Sequence, residues 1–272
     1  MKRTLALAAC AALALAASAP TRADGPPIGD NERLVYRVSW AIFPAAGRIT
    51  VYGQAMNDAA GAPLFSVVTE TQTRNIVKLI LPFAAHAESL YDGRTGRLVS
   101  YAEWSRMRQR DSYHTMRFDY ADRTVAYDDR SKPGSTRILR LPPGDPMDLI
   151  NGLLSARRWH LRPGQTHDIL VFFEGSFYSL TVHAVGEETL NTPLGTFRTV
   201  VLEPRMDKGP PRGMFRRGGT VRVWIAEDDP RRLPVQFQVR FKFGTGLATL
   251  IEYQPAEAVA SGGRGRVLAD RK

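Results

Sequence analysis

Polar and apolar residues alternate along most of the chain with the period of two expected of a half-buried β-strand. In Arg33–Trp40 the even positions Leu34, Tyr36, Val38 and Trp40 are apolar, while Arg33, Arg37 and Ser39 are polar. Pro44 to Gly47 predicts a turn, and Ile49 and Val51 open a second strand. Leu64–Thr71 predicts a third. Asn75–Leu81 reads as a short helix or as a strand, stopped by Pro82. His86–Tyr91 and Leu98–Trp104 flank Asp92 to Gly96, a hairpin signal with two glycines. Tyr113–Tyr120 sets His114, Met116, Phe118 and Tyr120 on one face and Thr115, Arg117 and Asp119 on the other. Val125–Asp128 and Thr136–Leu141 are weaker strands.

The period then changes. Asp145 followed by Pro146 reads as an N-cap with proline at the first helical position. Polar residues recur at 148, 151, 155, 158 and 162, and Leu149, Ile150, Leu153, Leu154 and Ala156 form the opposite stripe. This spacing predicts one amphipathic helix over about 146–161, ended by Pro163-Gly164. Gly152 inside it costs roughly 1 kcal/mol relative to alanine, so packing must hold the helix.

Strands resume at Asp168–Phe173, Phe177–Val185, Phe197–Glu203, Thr220–Ala226, Leu233–Phe243 and Leu247–Tyr253. In the clearest of them Val235, Phe237, Val239, Phe241 and Phe243 alternate with Gln236, Gln238, Arg240 and Lys242. Gly244-Thr245-Gly246 predicts a hairpin turn. Roughly eleven to thirteen strands with one helix define a mainly β fold. We expect a large curved antiparallel sheet, barrel-like or half-open, with the helix packed on or in it. A sheet that wide curls, and a barrel wider than about eight strands is not filled by its own side chains. The helix, large aromatics or a ligand must then occupy the hollow.

The first 23 residues follow another pattern. Lys2 and Arg3 precede an Ala/Leu run from Leu5 to Ala17, too short for the roughly 20 residues of a spanning helix. This is a secretory leader, cut after Ala19 or Ala23. Leu7 to Cys10 also resembles a lipoprotein box, but the apolar run continues well past Cys10, which disfavours a lipid anchor there. Residues 24–255 are expected to form a single β-rich domain, followed by a disordered basic tail over 256–272. Export predicts a periplasmic protein, with no transmembrane span once the leader is removed. Its lone cysteine, Cys10, allows the rest of the chain no disulfide, thiolate zinc site or cysteine nucleophile. The full chain carries 37 basic and 27 acidic residues, net +10. Losing Lys2, Arg3 and Arg22 leaves 34 basic against 27 acidic. The tail holds three more of the excess charges, so the folded body is near +4, a modest excess that is weak evidence for a nucleic-acid partner.

Several phrases together resemble a family of exported bacterial domains of unknown function, number 3108 in that series. They are Glu32 to Trp40 followed by Pro44 to Gly47, Tyr91-Asp92 with Thr95-Gly96, Phe118-Asp119-Tyr120, and Asp145-Pro146 with its helix. Thr192 to Phe197 with Glu203-Pro204, and Trp224-Ile225-Ala226 with Asp229, Arg232 and Leu233 to Val235, are the most specific. The resemblance implies an exported β-rich protein of Gram-negative envelopes and assigns no catalytic residue.

Candidate chemistry is sparse. The histidines at 86, 114, 160, 167 and 183 show no i, i+4 pair of a zinc helix. His86 with Glu88 could share a strand face. His114, on an apolar face, reads as a core residue. No nucleophile elbow or phosphate loop occurs, and adjacent acidic pairs fall in turns. Metal, cofactor and catalytic residues are therefore not assigned. Trp40 and Trp159 read as packing residues. Trp104 with Arg106, and Trp224 with Arg222, fall on the polar parity of their strands. That is what an amphiphile or sugar site would show, and also what cation–π surface packing would show. Lys208, Arg212, Phe215, Arg216 and Arg217 form a basic loop that could touch a membrane or an acidic glycan. The pattern favours a non-enzymatic binder or carrier of an apolar or amphiphilic envelope molecule. A structural or partner-binding factor in envelope assembly, and an enzyme on envelope glycan or lipid, are the other readings.

Overall fold

The structure, a computed structural model, describes residues 24–257 and 266–267 except 133, 174, 212–214, 216–217 and 242–243. The leader, most of the tail, and Arg212, Arg216, Arg217 and Phe243 therefore lie outside the described residues.

Strands β1 (Arg33–Trp40), β2 (Phe43–Asn57) and β3 (Pro63–Thr73) lead to a short helix, α1 (Asn75–Ile80). Next come β4 (Phe83–Asp92), β5 (Leu98–Met107), β6 (Arg110–Asp119), β7 (Thr124–Asp129) and β8 (Arg137–Arg140). A two-residue strand β9 (Met147–Asp148) runs into helix α2 (Leu149–Ser155) and a 3-10 turn at Ala156–Arg158. The remaining strands are β10 (Thr166–Phe173), β11 (Ser176–Thr192), β12 (Gly195–Arg205), β13 (Thr220–Ala226), β14 (Pro234–Phe241), β15 (Gly244–Gln254) and β16 (Arg266–Val267).

All join one sheet in the order β8-β7-β6-β5-β4-β3-β2-β1-β15-β14-β13-β12-β11-β10-β9, with β16 paired to β2. Pairing is antiparallel throughout except for the β9–β10 and β16–β2 bridges. The sheet is thus two meanders, or wings, joined along β1 and β15. Its free edges are β8 and β9, so the predicted curved sheet is open and no ladder closes it. Side chains press the wings together instead. The Phe172 ring lies 4.9 Å from Tyr101 and 5.6 Å from Phe118. Arg137 stacks over Tyr127 and donates to the carbonyl of Gly175 in the β10–β11 turn.

Strand alternation sends one side-chain set into the space between the wings, and on β10–β13 the opposite set is buried as well. Leu34, Tyr36, Val51, Val67, Tyr91, Tyr101, Met116 and Phe118 belong to one buried cluster. Ile169, Val171, Leu180, Val182, Leu202, Val221 and Val223 belong to a second. Helix α2 and the 3-10 turn after it serve both: Leu154 packs in the first, Leu153 and Ala156 in the second. Burial of these leucines is worth roughly 1.5–3 kcal/mol each before chain entropy is counted. A Cβ at Gly152 would sit 3.0 Å from Val171, so the glycine allows the helix to approach β10 closely.

Four sequence expectations are corrected. The first hairpin turns at Ala41–Ile42, with Trp40 paired to Phe43, and Pro44–Gly47 lies inside β2. Ala41 adopts φ 51°, the left-handed backbone that a two-residue turn needs. The helix is capped by Asp148 rather than Asp145, because the Asp148 carboxylate accepts from the Asn151 N–H while Met147–Asp148 is held against β10. It is correspondingly shorter than predicted. Gly244 and Gly246 belong to β15, since Phe241 already pairs with Gly244. Trp40 is 37% exposed at the end of β1, beyond the reach of the core. The ambiguous 75–81 segment is helical.

Candidate ligand cavity

A cavity of about 460 Å³ lies between the inner face of β3–β6, the start of α2 and the tip of the β10–β11 hairpin. The register explains its wall. Thr69 pairs with Ala87, Ala87 with Glu103, and Glu103 with His114, which sets these four side chains in a row across β3–β6. The next rung toward the turns pairs Thr71 with Ala85. Short side chains on β3 and β4 therefore leave room where a core would place leucines. Phe83, Tyr101, Met116, Ile150 and Phe172 bound the space with apolar surface.

The polar part of the wall is small and connected. Tyr101 donates its hydroxyl to Glu103 Oε2 at 2.6 Å, and His114 Nε2 lies 3.1 Å from the same oxygen. Burial alone would push the Glu103 carboxyl up. The hydrogen bonds from His114 and Tyr101 and the His114 charge outweigh burial and hold it below its usual range. Glu103 is thus an anion in a mostly apolar space, and its Oε1 accepts no hydrogen bond from a described residue. The Tyr101 hydroxyl is pushed well up by burial and then by Glu103 and Asp148.

Asp148 fixes the helix that forms the far wall. Its carboxylate accepts from the Asn151 N–H at 3.0 Å, from the Ser89 hydroxyl at 2.6 Å and from the Asn151 side-chain amide. Ser89 is on β4, so the cap ties α2 to the first wing. Burial raises the Asp148 pKa despite these bonds.

The residues singled out in the sequence lie elsewhere. Trp104 and Arg106 sit on the outer face of β5, with the guanidinium 5.4 Å from the indole centroid and paired to Asp111 through two bonds. Trp224 is buried and donates its indole N–H to Glu188 at 2.9 Å. Arg222 shares that strand face and bonds Glu203. The two tryptophans are on different wings, and neither lines the cavity. Lys208 pairs with Asp168 at 2.6 Å, and Phe215 packs against the second cluster rather than standing at a loop tip. Trp159 stacks on His167 at 4.4 Å. Sequence reasoning missed Glu103 and Tyr101. The available signal was His114 on an apolar face; its partner follows only from the β5–β6 register.

A mainly β domain with a half-open cavity on the inner face of its sheet is the class that fold and site define. Residues 35–251 match the family described as "Protein of unknown function (DUF3108)", and the chain belongs to that family. No curated protein matches the chain. Among solved structures it is similar to the β-barrel-like protein of the domain of unknown function DUF1849 from Brucella abortus. That likeness has TM-score 0.53 and 6% identity over 86% of this chain and 100% of the other. A candidate lipoprotein from Parabacteroides distasonis gives TM-score 0.34 at 9% identity, over 85% of this chain and 99% of the other.

Proposed function

We propose that this protein is an exported, non-enzymatic carrier that holds an apolar or amphiphilic envelope molecule in the β3–β6 cavity. One observation carries the reading: a hollow of about 460 Å³, walled largely by alanine and aromatic side chains, with the connected Tyr101–Glu103–His114 group set in that wall beside Thr69, Thr71 and Asp148. Its size falls within the range of roughly 300–1,000 Å³ usual for small-molecule sites. The geometry suits a hydrocarbon body against Ala85, Ala87 and Met116, with a hydroxyl or amine donating to Glu103. The leader read at 1–23 supports delivery to the periplasm, where such amphiphiles occur. Among the described residues, no helix is long and apolar enough to cross a membrane.

The test uses a dansyl-labelled fatty amine as probe, with native mass spectrometry of protein recovered from its own periplasm. Wild-type protein should carry extra mass that organic extraction removes, and should enhance probe fluorescence. Ala87→Phe, which places a ring in the hollow, should lose probe binding by tenfold or more while melting no lower than wild type, for a difference of about 1.4 kcal/mol per decade. A clean apo mass, together with probe binding that Ala87→Phe leaves intact, would refute the carrier reading.

A further inference from the structure

Helix α1 is built the wrong way round for a soluble surface. Of its residues only Val77 is buried, whereas Ile76 and Ile80 are mostly exposed and Leu79 is 83% exposed. An amphipathic surface helix normally turns its apolar stripe inward. The exposed residues continue beyond α1. Ile42, in the β1–β2 turn, is 85% exposed, and Met107, at the end of β5, is about half exposed.

The register places all five at one end of the sheet. Gly47 pairs with Thr73 just before α1, and the Arg74 N–H donates to the Ala46 carbonyl at 2.8 Å. Phe83 pairs with Met107 just after α1, and the Arg108 N–H donates to the Pro82 carbonyl at 2.9 Å. The β1–β2 turn, α1 and the β5–β6 turn thus form one continuous rim. Thr71 and Phe83 line the cavity from this same end.

Charge on the rim has one sign. Arg74, Lys78, Arg108 and Arg110 are exposed, and none makes an ion pair with a described residue. Residues 74–81 and 107–110 contain no carboxylate. The neighbouring Asp111 is committed to Arg106 through two bonds. Cations without acids, interleaved with large apolar side chains at the tips of separate connections, match the chemistry of a lipid surface. The tips can enter the acyl boundary while the cations meet anionic headgroups. Met107 edges a shallow hollow with Leu81, Arg108 and Arg110, whereas Ile42, Ile76, Leu79 and Ile80 project from a turn and a short helix as separate tips, which suits a fluid surface better than a folded partner.

We propose that this rim docks on an anionic membrane surface, with α1 lying in the headgroup layer. The contact does not depend on whether the cavity holds a ligand. The test is co-sedimentation of protein recovered from its own cells, its N-terminus mapped by mass spectrometry. It is mixed with phosphatidylcholine vesicles, with and without a minority of phosphatidylglycerol. Wild-type protein should pellet with the anionic vesicles at low salt and be released as salt rises. Lys78→Glu and Arg108→Glu should each weaken binding about fivefold or more. Leu79→Asp should abolish binding, with thermal melting unchanged because the side chain touches little. Arg198→Glu, the same charge reversal at the far end of the sheet, should leave binding as it was. The proposal is overturned if wild type stays in the supernatant with both vesicles. It is equally overturned if binding survives the α1 and Arg108 variants, or if Arg198→Glu weakens binding as much as they do.

Discussion

Replacing Asp148 with alanine tests whether one buried carboxylate holds the helix in the sheet. Ser89 and Asn151, its two side-chain donors, are 2% and 1% exposed, so water cannot readily replace the lost acceptor. Loss of an N-cap costs about 0.5–2 kcal/mol, and each buried donor left unpaired costs about 1–3 kcal/mol. Relief of the buried charge opposes both. Removing one partner of a buried network usually costs more than that relief, so we expect a net loss of about 2–4 kcal/mol. Asp148→Asn keeps an acceptor for the cap and should stay within about 1 kcal/mol of wild type near neutrality.

The pH dependence supplies an independent readout. Burial raises the Asp148 pKa above the ordinary 3.8 in the folded protein. The native state therefore binds more protons than the unfolded chain in the interval above that value. Its contribution to stability is complete below the ordinary value and declines as pH rises through the raised one. Urea unfolding, followed by tryptophan fluorescence from about pH 4 to neutrality, should show that decline in wild type and less of it in Asp148→Asn. An Asp148→Ala variant within about 0.5 kcal/mol of wild type, or parallel pH profiles for wild type and Asp148→Asn, would refute the anchoring role.

Glu103 should behave with the opposite sign. Its folded pKa lies below the ordinary 4.5, so its stabilisation is present above that value and lost as pH falls toward the folded one. Glu103→Gln should flatten the acid limb of the same urea series, and an unchanged limb would contradict the Tyr101–Glu103–His114 arrangement. Gly175→Ala tests the contact between wings. Gly175 has φ 66°, and a Cβ there would lie 2.8 Å from both Arg137 and Tyr127. We expect a loss of about 1–2 kcal/mol from backbone strain alone and a lower melting temperature, whereas an unshifted melt would separate the turn from β7–β8.

Much of the fold was legible because period-two alternation is a local property. Arg33–Trp40 and Thr220–Ala226 match their observed strands end to end, and the parity of Tyr113–Tyr120 assigns the inner face of β6 correctly. Errors arose where two local signals competed. Pro44 to Gly47 carries turn residues, but the turn forms at Ala41, whose type gives no warning of a positive φ. Asp145 and Asp148 both suit an N-cap. Asp145 pairs instead with Arg97 at 3.2 Å, and tertiary contact with Ser89 selects Asp148. A hollow was expected from the number of strands, but its lining was not legible. Its wall joins residues from β3 to β10, and Ala85 and Ala87 gain meaning only when their inward face and the α2 start opposite them are known.

The two edges of the open sheet differ in how much unpaired backbone they offer. A wide open sheet ordinarily offers unpaired backbone to other chains. Here one edge, β8, is four residues long with arginines at both ends, and the other, β9, is only two residues long before the chain turns into α2. Only Val171 and Phe172 of β10 pair with β9, so residues 166–170 of β10 form the longer open edge. The wings of the open sheet meet through side chains, at Phe172, Tyr101 and Arg137. Contacts of that kind can part more easily than a hydrogen-bonded seam. The β10–β11 tip that makes them also lines the cavity, at Phe172, Phe173 and Gly175, so parting it would widen the opening. Entry of a ligand would then need movement of one hairpin tip and no break in the strand ladder.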